Sequence, residues 1–521
     1  MGPRKLYLVF FVGLALLYLS MSPGEVWNMG YTSENIRASN EILSNLGNWL
    51  TFRIADRSIT WPRHGLLELI FEMPFLLLDK LFASPTREWN DRFLALAPII
   101  TTSLLCTLVF IWVHRITSSL VWAYLLAMVA GFATMLWPYA FIGLETTHSL
   151  FLMLAAYMAI GAPVTRSWRR AFAFAFSCGM AISLKTNSVF LIPAIAYLVY
   201  VYFQAGFSSE GVEPRRKWKQ IIGTVATIAI LYFLNDYTRS LAGLWREGMV
   251  KLFFNGLATD GPLSFLMGLF SLFGSPNKGL LIYCPVIIIC FAVLHRVYKT
   301  KPQIVIFVVL ATAGMMGGCS LFYYWADETW GPRYLCPCIA PLIVCFAVAR
   351  ASVRFRVRRE IPLIALTLWG IAVSFLGAFF YYGSLHLAAT QSIHPTIEAF
   401  QYEPEWNHIR FNAKLLQQWM HGSRPREEAA EWPPARHRWY PGSGESPIAL
   451  PERTIKLQDY ANPQPLLLRN WPTVRSASLE PFWYVCLNCL WLGPVLLIWL
   501  ARLISKADGH SHVSCASNAA E

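Results

Sequence analysis

The sequence predicts an all-α integral membrane protein with about twelve transmembrane helices, and three observations carry that expectation. Of its 521 residues, 55% are hydrophobic and only 14% charged, a balance unlike that of soluble domains. Apolar stretches near the roughly 20 residues that cross a bilayer recur along the whole chain. The basic residues behind the formal charge of +13 fall in short clusters between those stretches.

The N-terminal MGPRKLYLVFFVGLALLYLSMS has a basic start and an apolar core, as a signal peptide does. It lacks an A-x-A site and its apolar run is long, which favours an uncleaved first helix over 6–22. Leu6 stands where a myristoylation signal needs Ser or Thr. Further spans are expected at 93–113, 119–139, 148–162, 188–207, 220–236, 280–294, 303–322, 335–349, 361–381 and 482–500. The run at 171–184 is short, and Lys185 extends it by snorkelling.

Basic clusters lie at Arg4-Lys5, Arg115, Arg166/Arg169/Arg170, Arg215 to Lys219, Arg296 to Lys301, Arg350 to Arg359 and Arg502/Lys506. Placing each in the cytoplasm gives a consistent alternating topology with both termini inside. Most of the net charge is then an orientation signal, and nucleic acid is not an expected partner. The same threading forbids HGLLELIFEMPFLLLDKLF (64–82) from spanning, and Glu68, Glu72 and Asp79 suit a helix lying in the interface. Residues 1–381 thus form a membrane core whose first external loop, 23–92, holds in-plane helices. An irregular external segment (382–480), a last transmembrane helix (481–506) and a disordered cytoplasmic tail (507–521) complete the chain.

Common chemistries lack their local marks. There is no GxxxxGK[ST] loop, GxGxxG turn or GxSxG elbow, and no spacing suits a zinc site. The eleven cysteines read as packing residues, those in lipid-facing spans above all.

The polar residues at membrane depth instead gather on one side. The first loop offers Glu34, Asp56, Arg63 and His64; GLETTHSLF offers Glu145 and His148; SLKTNS offers Lys185. FGSPNKGLLIYCP adds Lys278, and YYWADETWGPRYLCPCIAP (323–341) adds Tyr324, Asp327, Glu328, Trp330 and Arg333. Ionisable groups converging beside apolar surface suit a binding or active site. Each also has a plainer reading. The aromatics fit an interfacial belt, Glu34 a solvated carboxylate or helix cap, Lys278 a simple turn, and His148 a satisfied polar residue in the bundle. Arg333 fits snorkelling less well, held between Pro332 and Tyr334 on a side otherwise poor in basic residues.

Three segments carry a resemblance. YYWADETWGPRYLCPCIAP is similar to the W-G-x-x-W-G-P-R-Y-L-x-P-x-x-P signature of the GT-C class of polytopic glycosyltransferases, particularly bacterial relatives of the protein O-mannosyltransferases. FGSPNKGLLIYCPVII resembles their S-P-x-x-G-L-x-x-Y-S-P turn, and TTHSLFLMLAAYM a Q-H-x-x-x-x-x-L-x-L-x-x-Y helix start. The matches cover a small part of the chain, in the family's order.

The resemblance implies inverting transfer of a sugar from a polyprenyl-phosphate donor to an acceptor on the extracytoplasmic face. It implies a first-loop carboxylate as base, which makes Glu34 in YTSEN the candidate and Asp56 its runner-up. Asn35 stands where a second acid is common in the family, so a relative that binds donor without cleaving it stays open. Arg333 and Lys278, then Lys185 and Arg63, are the candidates for the donor phosphate. His148, Asp327, Glu328, Trp330 and Tyr324 are the candidates for sugar or acceptor. No cofactor is expected and no metal is assumed. The acceptor is a protein, lipid or glycan, and a bacterial inner membrane facing the periplasm is the expected setting. Two other readings remain: a transporter or flippase of a lipid-linked or anionic solute, and a non-catalytic envelope scaffold using 382–480.

Overall fold

The computed structural model describes residues 3–22, 66–82, 93–141, 145–162, 167–207, 214–241, 265–321, 330–351, 357–379 and 407–420. These residues are helical, with no strand among them. Among the described residues, six segments are long and apolar enough to cross a membrane: Arg4–Met21, Leu96–Thr117, Asn187–Gln204, Pro302–Ser320, Arg333–Ala351 and Ile361–Ala378. The chain is therefore a helical membrane protein. Its outer surface agrees: Leu8, Ile222, Ile230, Phe233 and Leu368 are all more than three-fifths exposed, an arrangement that lipid tails tolerate and water does not.

Helix α1 (Pro3–Met21) packs along α3 (Leu96–Thr117). Helix α2 (Leu66–Phe82) lies in the expected external loop. Its Leu69 and Leu76 meet Leu94 and Ala95, just before α3 begins. Its Leu67 packs on Met180 and Leu184, at the end of α7 (Trp168–Ser183). The Leu67 N–H donates to Asn235 Oδ1 at 2.9 Å, and Asn235 is wholly buried near the end of α9 (Pro214–Leu241). Helix α2 thus joins the start of α3 to the ends of α7 and α9. Glu68 and Glu72, expected in the interface, are buried in the protein.

Several elements break where hydropathy alone reads a continuous span. The expected 119–139 helix divides into α4 (Leu120–Phe132) and α5 (Leu136–Tyr139). Pro138 has no N–H to give the Thr134 carbonyl, which breaks the ladder locally; Ser374 of α15 (Val357–Phe379) donates to that same oxygen at 2.9 Å. Gly370, one turn earlier, lets the two backbones approach: a Cβ there would lie 2.3 Å from the Ala133 oxygen. Helix α6 (Glu145–Ala156) ends in a π-turn, Tyr157–Gly161, and Arg170 Nη2 donates to the Met158 carbonyl at 3.0 Å. A 3₁₀ turn, Thr186–Leu191, precedes α8 (Ile192–Phe207).

Beyond α10 (Phe265–Gly274), the expected 280–294 span begins as α11 (Leu280–Tyr283) and resumes as α12 (Ile287–Thr300). Pro285, which has no N–H to donate, sits in the gap. Helix α13 (Pro302–Ser320) follows. A 3₁₀ turn, Arg333–Leu335, then leads into α14 (Cys336–Ala351), the most enclosed element of the bundle. Of the segment placed at 382–480, residues 407–420 are described, and they form α16 (His408–Met420). The expected span at 481–506 and the tail lie outside the described residues.

Candidate functional site

The site is built where α6 starts, α7 ends and α14 starts. Glu145 opens α6 and is 3% exposed. Lys185 follows the last turn of α7, and its ammonium donates to Glu145 Oε1. Arg333, on the 3₁₀ turn before α14, brings Nη1 to 3.8 Å from the same oxygen. That distance is an ion pair without a hydrogen bond. Its Nη2 instead donates to the Tyr334 hydroxyl at 3.0 Å, with the guanidinium 4.9 Å from that ring. One carboxylate thus carries two cations drawn from segments far apart in the chain.

His148 lies one helical turn beyond Glu145 on α6. Its Nε2 is 3.0 Å from Ser188 Oγ, and both residues are buried. Thr146 Oγ1 meets Thr101 Oγ1 of α3 at 3.0 Å, fixing the start of α6 against its neighbour. The 3₁₀ turn that supplies Ser188 presses Phe190 onto α13, where Gly318 leaves room for the ring.

Arg333 is aimed by the residues before it. Gly331 takes φ +60°, and a Cβ there would meet Met135 Sδ and the Tyr283 ring at 2.8 Å. Backbone sign and space both require glycine. Trp330 is fully buried. Tyr139 of α5 donates to its carbonyl at 2.8 Å, and Tyr283 meets its ring edge-on at 5.2 Å between centroids. Gly377 of α15 faces the same indole, where a Cβ would lie 2.3 Å from Cε2.

Tyr283 links this loop to the turn that carries Lys278, since its hydroxyl donates to the Asn277 carbonyl at 2.8 Å. Within the turn, the Gly279 N–H donates to the Ser275 carbonyl at 2.7 Å and the Lys278 N–H to Ser275 Oγ at 3.1 Å. Lys278 is wholly buried. Helix α16 closes on the same turn. Asn407 Nδ2 donates to the Pro276 carbonyl at 2.8 Å and to Asn277 Oδ1 at 3.1 Å. Its Oδ1 accepts the Arg410 N–H at 2.9 Å, so one side chain both caps α16 and ties it down. The His408 ring lies 6.1 Å from that of Trp330.

Of the residues singled out in the sequence, Lys185 and Arg333 are brought together, with His148 one turn from the carboxylate they share. Lys278 is joined to the Arg333 loop through Tyr283 and Trp330. Trp330 is enclosed by protein and has no open ring face. Glu34, Asp56, Arg63, Tyr324, Asp327 and Glu328 lie outside the described residues. Glu145 is one of the outward-side acids of the sequence, and the structure gives it the central place. The signal was Lys185: two opposite charges expected at one membrane depth, each costly alone, demand a partner. Ser188 and Asn407 gave no such signal. Among the described residues no three His, Cys, Asp or Glu side chains cluster to hold a metal ion.

No protein-family model matches the chain, and no curated protein matches it.

Proposed function

We propose that the chain is a membrane glycosyltransferase of the GT-C kind. It moves a sugar from a polyprenyl-phosphate donor to an acceptor hydroxyl on the extracytoplasmic face, with inversion. The observation that carries this reading is the pair of cations, Lys185 and Arg333, held at the shared helix ends on the Glu145 carboxylate. A site that cleaves a sugar phosphodiester needs fixed positive charge where the departing phosphate gathers negative charge. It also needs that charge at the membrane surface, where the lipid tail stays among helices and the sugar stays in water. The WGPRYLCPCIAP segment supports the same reading, because its Gly331 and Trp330 are built to aim Arg333.

In this reading Glu34 takes the proton of the acceptor hydroxyl as its oxygen attacks the anomeric carbon. The bond from that carbon to the phosphate oxygen breaks, and the polyprenyl phosphate leaves against Arg333 and Lys185. Asp56 is the second candidate for the base. His148 and Ser188, one turn from Glu145, are placed to bind sugar or acceptor hydroxyls. Lys278 shapes its turn and adds positive charge to the same side.

The test uses purified protein in nanodiscs with a panel of polyprenyl-phosphate sugars. Sugar release by wild type, lost in both Glu34→Gln and Arg333→Ala, with donor binding kept only by the first, is the expected result. Donor that binds but is never cleaved by wild type would make the protein a carrier or scaffold instead.

A further inference from the structure

We infer that the end of the bundle opposite Glu145 holds an anionic phospholipid, with its phosphate between Arg4 and Arg115 and its acyl chains along α1 and α3.

Helix α6 runs from Glu145 to the π-turn at Tyr157–Gly161, so this second site lies at its far end and takes no part in the proposed transfer. Helix α1 packs along α3, where the Tyr7 hydroxyl meets His114 Nδ1 at 3.1 Å. Arg4 precedes Tyr7 by one turn of α1, and Arg115 follows His114 on α3. Two guanidinium groups from separate helices thus flank one contact. Both arginines are exposed. Among the described residues, no hydrogen bond or ion pair engages either guanidinium.

Arg115 is held in place all the same. Its guanidinium carbon lies over the Tyr157 ring, 5.2 Å from the centroid, and Trp112 meets that ring edge-on at 5.6 Å. A guanidinium attracted to a ring still has its N–H donors to give, and their fork suits phosphate oxygens.

Apolar surface continues from each arginine. On α1, Leu8, Val12 and Leu16 follow Arg4 at four-residue steps, and all three are exposed. On α3, Ile111 and Leu104 share a face with Arg115, Ile111 half-buried and Leu104 exposed. Two adjacent helices therefore each carry a cation at the head of an apolar stripe, which matches a charged head group with two chains. Snorkelling accounts for either cation alone. It does not account for two on one contact with no carboxylate to balance them. An anionic head group supplies that charge, whereas a zwitterionic one brings a cation of its own.

The test titrates the purified full chain in detergent with dioleoyl phosphatidylglycerol, dioleoyl phosphatidylcholine and glycerol 1-phosphate, and native mass spectrometry reads what is retained. Wild type is expected to hold one phosphatidylglycerol about tenfold more tightly than phosphatidylcholine. Arg4→Gln and Arg115→Gln should each cost about fivefold, the scale of one cation near an anionic head group, and the double variant should lose the preference. Lys299→Gln removes an exposed cation from α12 instead and should change nothing. A preference that survives the double variant, or an equal loss in Lys299→Gln, overturns the inference. Glycerol 1-phosphate held as tightly as phosphatidylglycerol also overturns it, since the acyl chains would then contribute nothing. Each of these outcomes leaves the enzyme reading standing.

Discussion

The Lys185 ammonium rests on the Glu145 carboxylate across forty positions of sequence, and that contact fastens the end of α7 to the start of α6. Because Glu145 is buried and Lys185 largely so, the pair responds asymmetrically to mutation. Removing Glu145 takes from Lys185 and Arg333 the carboxylate they share, at a cost of about 3–5 kcal/mol, whereas removing Lys185 leaves Glu145 its Arg333 pair and costs less. Glu145→Gln alone should therefore melt well below wild type. Glu145→Gln/Lys185→Met should recover part of the loss. Thermal unfolding in nanodiscs reads both, and additive losses would show that the ions do not depend on each other.

Gly331 tests how the loop aims Arg333. Gly331→Ala adds a Cβ at φ +60°, costing about 1–2 kcal/mol from backbone strain alone. The new methyl also meets Met135 and Tyr283, so Arg333 must shift with its turn. Donor affinity should fall more than stability does. A variant that binds donor like wild type would detach the loop geometry from the site.

Asn407 separates two jobs held by one side chain. Asn407→Asp keeps the oxygen that caps α16 but loses the donor that reaches Pro276 and Asn277. Asn407→Ala loses both, at about 1 kcal/mol for the cap. Hydrogen exchange across 408–420 should speed up in the alanine variant, while Asn407→Asp should leave the helix protected. In both, protection of the amides at 277–279 should drop.

Orientation follows from charge placement. In a background with its eleven cysteines replaced, Ser209→Cys should react with a membrane-impermeant maleimide only after the membrane is opened. Thr259→Cys should react in intact cells. The opposite pattern would invert the topology and move the whole cluster to the cytoplasm.

Much of the bundle could be read from hydropathy, because a bilayer imposes one length and one composition on every crossing helix. The breaks had only Pro138 and Pro285 as local signs, each lacking the N–H that a continuous helix would donate to the carbonyl four residues before. What completes the gap between α4 and α5 is distant: Ser374 and Gly370, more than two hundred residues later in the chain. The site was half legible for a related reason. Charged residues in apolar surroundings stand out singly, so Lys185, Arg333 and Lys278 could be picked from the sequence. That Lys185 and Arg333 share Glu145 depends on packing between distant helices, and it appears only with the fold. Trp330 shows the reverse limit. A Trp at a predicted membrane edge reads as belt or sugar platform, and only its contacts with Tyr139, Tyr283 and Gly377 mark it as packing.

The most direct test of the central claim is a single-turnover reaction of wild type with an isotopically labelled polyprenyl-phosphate sugar, followed by mass spectrometry of the lipid fraction. Transfer to an acceptor or to water predicts free polyprenyl monophosphate in step with sugar loss, and none from Arg333→Ala. Donor recovered intact at full occupancy would contradict the account, leaving a chain that holds a lipid-linked sugar without breaking its bond.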